Sequence, residues 1–343
     1  QTAAEAKYQE FRDVPQGAFL ESFAWREWRG RNLVSLYGAN ASLENQKLGG
    51  TWMNGARLRV DFDYRQVPHN LSGVARSPFT EVRPGVLAVP DTMQAKNQAS
   101  ASTYVATMKA ALSASPFIPL GFRTDVAKAR VRARPARGWR FELQGVRRER
   151  SGQKPYGGSF GFNNVVEVWE PIAQRMLEGN ARVGYQKDRL SVQAAGGVTA
   201  FENRVDALAW DNPARLTGLN RGQIDLYPDN KDVHGSLALG YQLPRRTVFN
   251  VTVGMSQVKQ DDPWLPYTVN TTIAQSSLDS LPPERNTEGK ANIFTQDYRL
   301  TSHPIAHVGG TLRFRDYQYQ NETPEHHFKG HVQYDNSWAA DST

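Results

Sequence analysis

The densest group of potential metal ligands lies near the end of the chain. Glu325, His326, His327 and His331 occupy one short stretch, and imidazole and carboxylate groups could form a surface metal site. On an extended strand, however, His327 and His331 share a face while His326 lies opposite. We therefore expect solvated loop and lumen residues here, and we assign no metal ligands.

Carboxylates in the polar segments are a second set of candidates. Asp211, Asp229, Asp261 and Asp262 lie in segments rich in Asn, Pro and Gly, and calcium prefers carboxylate oxygens. None of these residues has the spacing of a calcium-binding loop. The sequence therefore assigns no calcium site.

Catalytic chemistry has no matching pattern. The chain contains no cysteine, which excludes disulfides, thiolate zinc sites, thiol nucleophiles and haem attachment through Cys-x-x-Cys-His. No Ser–His–Asp arrangement, phosphate-binding loop or paired-carboxylate motif stands out. We therefore predict that the protein is not an enzyme and that this chain binds no cofactor.

The strongest chemical pattern is a charged or polar residue at every second position, which occurs in 57–65, 126–134 and 139–148 and includes many arginines. A period of two places charged and apolar side chains on opposite faces of a β-strand. The predicted lumen-facing basic residues are Arg57, Arg59, Lys128, Arg130, Arg132, Arg134 and Arg140. The predicted lipid-facing residues are Leu58, Val60, Phe62, Tyr64, Trp139, Phe141, Leu143, Val251 and Val253.

The composition agrees with strands that line a wet interior. The 343 residues carry a net charge of +7, and their mean hydropathy is −0.60. Because the arginines alternate with apolar residues, they indicate a lumen lining rather than a nucleic-acid-binding helix. No apolar run is long enough for a transmembrane helix, whereas a transmembrane strand needs only ~9 to 11 residues. The first residues lack the features of a signal peptide, so we expect the signal to have been removed or not included.

Hairpins recur along the chain. Short turns begin at residues 135, 187, 244 and 302, each between two alternating strands, at intervals of roughly 55 residues. Long polar segments lie between them, at about 149–178, 202–233 and 257–289. Short turns at one end and long loops at the other are typical of bacterial outer-membrane barrels, whose turns are periplasmic and whose loops are extracellular.

These features predict an all-β fold, a single antiparallel transmembrane β-barrel domain over residues 1–343. We count about twelve strands, including N-terminal ones near 18–28 and 31–41 and a last one near 327–335. A long loop insertion, 67–125, contains one helix from Thr103 to Leu112. Alternating strands also occur in soluble sandwiches, so a soluble β-sandwich that binds carbohydrate through Trp25, Trp28, Trp139 and Trp338 is an alternative.

Several segments resemble a known family. Residues 62–72 read Phe-Asp-Tyr-Arg-Gln-Val-Pro-His-Asn-Leu-Ser, and 75–79 and 85–91 read Ala-Arg-Ser-Pro-Phe and Gly-Val-Leu-Ala-Val-Pro-Asp. This order resembles the MtrB/PioB family of decahaem-associated outer-membrane proteins, in which a strand ends in a Tyr-x-x-Ile-Pro-His segment. The matching positions Pro68, His69 and Asn70 are expected to have a structural role. Further matching segments are 158–172, 211–217, 228–231 and 261–270.

The resemblance implies a large outer-membrane barrel that sheathes a periplasmic multihaem c-type cytochrome, so that electrons cross the membrane along haems carried by that partner. An extracellular cytochrome at the long loops is a further expected partner, and nucleic acid is not one. Family members are usually about twice as long, which implies that these strands are the N-terminal part of a larger barrel. The Cys-x-x-Cys pair of some members is absent. A diffusion porin for small solutes shares every feature except the family motifs and is the second interpretation.

Overall fold

The structure, a computed structural model, describes residues 9–12, 18–160, 165–214, 220–270, 286–327, 330–333 and 337–340. Among these residues, no helix has both the length and the apolar character needed to cross a membrane. Two of the segments that resemble the family, 158–172 and 211–217, lie partly outside the described residues.

The main element is one sheet of twelve strands, and every neighbouring pair in it is antiparallel. In their order across the sheet, these strands are β1 (Leu20–Arg29), β2 (Asn32–Ala41), β3 (Lys47–Asn54), β4 (Leu58–Arg76), β7 (Phe117–Ala133), β8 (Trp139–Ser159), β9 (Val165–Lys187), β10 (Leu190–Asn203), β13 (Asn230–Leu243), β14 (Thr247–Gln260), β15 (Gly289–Ile305) and β16 (Val308–Asn321).

The register gives the sheet two chemically different faces. Residues directly opposite each other in paired strands point to the same side. One such row consists of Leu58, Ala133, Phe141, Val183, Ala194, Leu237 and Val253. This side is called the apolar face below. The other side, which carries Arg59, Arg132 and Glu142 in one row, is called the basic face.

The main sheet has twelve strands, as predicted, but one of them differs from the predicted set. β3 was not predicted, because its sequence Lys-Leu-Gly-Gly-Thr-Trp-Met-Asn does not alternate. The strand predicted near 327–335 is not part of the main sheet; a separate hairpin there joins β17 (Gly330–Gln333) to β18 (Ser337–Ala340). The turn predicted at 302 is wrong as well, since β15 continues to Ile305 through an irregularity in the pairing and the turn lies at 306–307.

The long strands reach further into the polar segments than predicted. β4 and β7 are paired up to Arg76 and Phe117, so the insertion is 77–116 rather than 67–125. Likewise, β8 and β9 are paired from Trp139 to Ser159, so most of the loop predicted at 149–178 is strand. Continuous backbone pairing with a neighbour outweighs the turn-forming composition of these segments.

A small subdomain, the cap, is built from residues 77–116, 204–214 and 220–229. Its strands are β5 (Thr80–Arg83), β6 (Val86–Ala88), β11 (Ala207–Asp211) and β12 (Arg221–Asp225), in the order β12-β11-β6-β5 with β11 parallel to β6. Its helices are α1 (Asp91–Ala99), a 3-10 turn (Ala101–Thr103) and α2 (Tyr104–Ala114). The predicted helix at 103–112 corresponds to α2, whereas α1 was not predicted.

The hydrophobic core of the described residues lies where the cap meets the ends of β8 and β9. It comprises Phe79, Leu87, Val89, Met93, Phe160, Val168, Trp169, Val205, Leu208, Trp210 and Leu226. Tyr156 of β8 packs edge-on against Trp210, with ring centroids 5.7 Å apart. Tyr156 and Arg140 are an even number of residues apart in a strand that is paired without a register shift, so both side chains point to the basic face. The cap therefore covers the basic face at the end of the sheet that carries the long connections, called the loop end below. The opposite end, where the short turns lie, is called the turn end.

Candidate functional site: the basic face

Five of the seven predicted basic residues lie on strands of the basic face. Arg59 is opposite Arg132, and the next two rows place Asp61 opposite Arg130 and Asp63 opposite Lys128. The fifth, Arg140, is on β8. The other two, Arg57 and Arg134, lie in the turns before β4 and after β7, where the Arg134 amide donates to the Arg57 carbonyl at 2.7 Å. That this face lines a lumen stays a prediction.

Asp61 links the cations of β4 and β7. Its Oδ1 accepts from Arg59 Nε at 2.7 Å and from Thr51 Oγ1 at 2.8 Å, and its Oδ2 accepts from Arg132 at 2.6 Å. Nearby, the Tyr37 hydroxyl donates to Asp63 at 2.8 Å. One carboxylate therefore serves two guanidinium groups, which leaves positive charge in excess on this part of the face.

The same excess continues on β8 and β9. Arg130 donates to Gln144 at 3.0 and 2.6 Å and lies 3.9 Å from Glu142. Glu142 is opposite Arg182 of β9. Arg132, Arg140, Glu142 and Arg182 line a cavity of about 340 Å³ on this face. Arg182 was missed by the sequence analysis because the segment around it was assigned to strands without a charge ladder.

A histidine cluster on the basic face was also missed. His234 Nδ1 lies 2.7 Å from Asp232 Oδ2, and its Nε2 lies 3.1 Å from Asn180 Oδ1. Ser256 donates to the other oxygen of Asp232. The only signal in the sequence is the spacing of two between Asp232 and His234, because Asn180 and Ser256 come from other strands. Together with Arg130 and Arg182, His234 lines a cavity of about 470 Å³.

The family-motif residues hold the N-terminal segment against the sheet. The His69 ring stacks on Phe11 at 4.7 Å, and its Nε2 lies 3.1 Å from Glu10. The Asn70 amide nitrogen donates to the Gln9 carbonyl at 2.9 Å, and Pro68 is fully buried. β4 does not end at this motif as predicted but continues to Arg76, with irregular pairing that begins only after Asn70. The motif therefore fixes residues 9–12 at the sheet.

All nine predicted lipid-facing residues lie on the apolar face, as the pairing registers show. Aromatic rings gather at its turn end, where Trp139 lies 4.8 Å from Tyr185 and 5.8 Å from Phe141 between ring centroids. In outer-membrane barrels an apolar outer band is bordered by aromatic residues. By contrast, Trp25 and Trp28 have opposite parity on β1, so they do not form one carbohydrate-binding surface.

The candidate metal and calcium residues have other partners. His326 Nε2 lies 2.9 Å from the Thr287 carbonyl oxygen, and His327 lies 3.8 Å from Glu325. The side chains of His331 and Trp338 lie outside the described residues. Among the residues that the structure describes, no group of three or more His, Cys, Asp or Glu side chains could hold a metal ion.

Three of the four loop aspartates, Asp211, Asp229 and Asp262, accept hydrogen bonds in the cap and its connections. Asp211 accepts from Arg221 Nε at 2.9 Å and from the Val89 amide at 3.1 Å. Asp229 accepts the Asn203 amide at 2.6 Å, and Asp262 accepts the Asp229 amide at 2.5 Å. Burial raises the pKa of Asp229, and the nearby carboxylates of Asp262 and Glu202 raise it further.

Comparison with known proteins defines the class. A family model for outer membrane β-barrel porins of the MtrB/PioB type matches residues 6–341. The chain belongs to the MtrB/PioB family, and its fold is an all-β, antiparallel transmembrane β-barrel of the outer membrane. This confirms the resemblance found in the sequence and leaves the soluble sandwich without support.

The other comparisons add little. None of the curated proteins compared with the chain matches it. Among solved structures, the chain is similar to OmpTdeltaL8, a loop L8 deletion mutant of OmpT, an outer membrane protein of Vibrio cholerae. That similarity has 6% sequence identity and a TM-score of 0.36, and it covers 87% of this chain and 91% of that chain. The fold assignment therefore rests on the family and on the strand pairing.

Proposed function

We propose that this protein is a porin-like sheath that houses a periplasmic multihaem c-type cytochrome and so supports electron transfer across the outer membrane. The haems belong to the partner, and this chain contributes an insulating wall and a surface that binds the partner. An extracellular cytochrome at the loop end is a further proposed partner. The observation that carries the proposal is the excess of cations on the basic face of β4, β7, β8 and β9.

Charge complementarity supports an acidic partner. Among the described residues, Lys128, Arg140 and Arg182 have no carboxylate within 4.0 Å. Such cations are available to ligand carboxylates, and haem propionates at a cytochrome surface are groups of that kind. The cavity lined by Arg140 and Arg182 is large enough to receive a carboxylate with its surrounding water. Steering by such a surface speeds association and fixes orientation.

Co-purification tests the proposal. The protein is produced in a host that supplies its own periplasmic multihaem cytochromes, extracted gently from the membrane, and examined for haem absorbance. We expect haem to co-elute with the barrel, and retention to fall in Arg140→Gln/Arg182→Gln as salt is raised. Lys187→Gln, a change at a turn on the apolar face, is the matched control and leaves retention unchanged. Absence of haem from the native protein contradicts the sheath.

A diffusion porin is the second candidate, because the matching family is described as a porin. Conductance in a planar bilayer separates the two functions. A sheath filled by its cytochrome gives little current, whereas an open and ion-selective channel without bound haem favours the diffusion porin.

A further inference from the structure

Three lysines lie side by side on the apolar face at the loop end of the sheet. Lys231 of β13 is opposite Lys259 of β14, and Lys259 is opposite Lys290 of β15. Neighbouring strands are ~4.8 Å apart, so the three side chains leave the sheet along a row of about 10 Å. Like charges directly opposite each other destabilise a sheet. An anion bound along the row would offset this repulsion.

Among the described residues, a carboxylate neutralises only one end of the row. Lys290 Nζ lies 2.5 Å from Glu322. In the part of the chain that the structure describes, neither Lys231 nor Lys259 has a carboxylate within 4.0 Å. Asp229 precedes Lys231 by two residues, but its carboxylate accepts a hydrogen bond from the backbone amide of Asn203. Two positive charges therefore remain available on an outward-facing surface.

The position of the row matches the edge of a bilayer. Lys231 precedes Tyr241 by ten residues on one strand face, and Lys259 follows Phe249 by the same number. Ten residues span ~34 Å along a strand, and a strand tilt of about 40° reduces this to roughly 26 Å along the membrane normal. The apolar band of an outer-membrane barrel is about 25 Å tall. With the aromatic ring of Tyr241 at the turn-side border, the lysines reach the loop-side border.

Apolar side chains directly below the lysines are exposed. Val233 is 52% exposed, Leu237 54% and Met255 66%. They lie on the same face as Lys231 and Lys259, on the turn side of the row. A surface with cations above and apolar side chains below fits an amphiphile whose anionic group lies at the border and whose acyl chains lie along the strands.

We propose that Lys231 and Lys259, flanked by Lys290, bind the phosphate groups of lipid A, the phosphorylated glycolipid of the outer leaflet, on the outside of the barrel. The loop end of an outer-membrane barrel is extracellular, so the row faces the leaflet that contains this lipid. The acyl chains lie against Val233, Leu237 and Met255. This site is on the opposite side of the sheet from the basic face and does not depend on a cytochrome.

Lipid binding to the full chain in detergent micelles tests the proposal. Bisphosphorylated lipid A is titrated, and bound lipid is measured by native mass spectrometry. Lys231→Gln/Lys259→Gln is expected to weaken binding about 30-fold, from about 5-fold per lysine near an anionic surface. Lys231→Arg/Lys259→Arg keeps both charges and is expected to bind as the native protein does. Lys187→Gln, on the same face at the turn end, is the control and changes nothing.

Three results would overturn the site. The first is equal affinity of the native protein and the double glutamine variant. The second is equal affinity of the native protein for lipid A and for its dephosphorylated form, or for phosphatidylglycerol. The third is a loss in the arginine variant as large as that in the glutamine variant, since this variant retains the charge. Inorganic phosphate is included as a competitor and is expected not to displace lipid A, because it lacks the acyl chains.

Discussion

Replacement of Trp210 by alanine is expected to open the cap while the twelve-stranded sheet stays intact. Trp210 is 3% exposed and lies between Gly158 of β8 and Gly222 of β12, where a Cβ on either glycine would overlap its ring. Truncation of a buried tryptophan to alanine lowers the free energy of unfolding by roughly 3 to 5 kcal/mol. That cost falls on the cap, because Trp210 joins β11 to β8 and contributes no pairing to the main sheet.

Hydrogen exchange measures this effect locally. A loss of 3 to 5 kcal/mol corresponds to a fall in amide protection of roughly 10² to 10³-fold or more. We expect that fall in β6, β11 and β12 of Trp210→Ala, with protection of β13 to β15 unchanged. Trp210→Phe keeps most of the ring and removes a buried indole N–H that has no hydrogen-bond partner in the described structure, so its loss should be much smaller.

Two outcomes would refute this reasoning. Unchanged protection in β11 would mean that Trp210 does not hold the cap. An equal loss throughout the main sheet would mean that cap and sheet unfold as one unit. If the cap restricts the pore, Trp210→Ala also raises single-channel conductance in a planar bilayer, whereas Trp139→Ala, which alters an exposed ring on the apolar face, does not.

Three further changes test other parts of the structure. Asp61→Ala removes the shared acceptor of Arg59 and Arg132 and should lower the free energy of unfolding by roughly 1 to 2 kcal/mol in urea, with Asp61→Asn closer to native. Arg246→Gly relieves a left-handed residue (φ 53°) and should stabilise by about 0.5 kcal/mol; a lower melting temperature contradicts this. Asp229 has a raised pKa, so its ionisation opposes folding at neutral pH and not in acid. Asp229→Asn should therefore have a higher melting temperature than the native protein at pH 7. The difference in melting temperature should vanish as the pH is lowered toward the unfolded-state pKa of 3.8, and a difference that does not change with pH would exclude this cause.

The sequence by itself determined the local character of most strands. Strict alternation over residues 57–65 assigns Leu58 and Arg59 to opposite faces, because side chains in a strand point alternately to each side whatever the partner is. The short turns at 135, 187 and 244 follow for the same local reason. The family motifs and the absence of cysteine also needed only the sequence.

The strand ends and the second subdomain were decided by tertiary contacts. β3 contains Gly49 and Gly50 and does not alternate, so only its neighbours β2 and β4 make it a strand. The residues after 148 are rich in turn-forming types, yet β8 is held in strand form by continuous pairing with β9. The cap joins residues more than a hundred positions apart, as in the parallel pair of β6 and β11.

The binding surfaces show most clearly what only the tertiary structure decided. Lys231, Lys259 and Lys290 are unremarkable in the sequence, and the registers of β13, β14 and β15 align them. Likewise, His234 meets Asn180 only because β9, β10 and β13 are neighbours. Local alternation fixes which face a side chain takes, whereas strand order and register fix which side chains share a site, since they depend on backbone hydrogen bonds between distant segments.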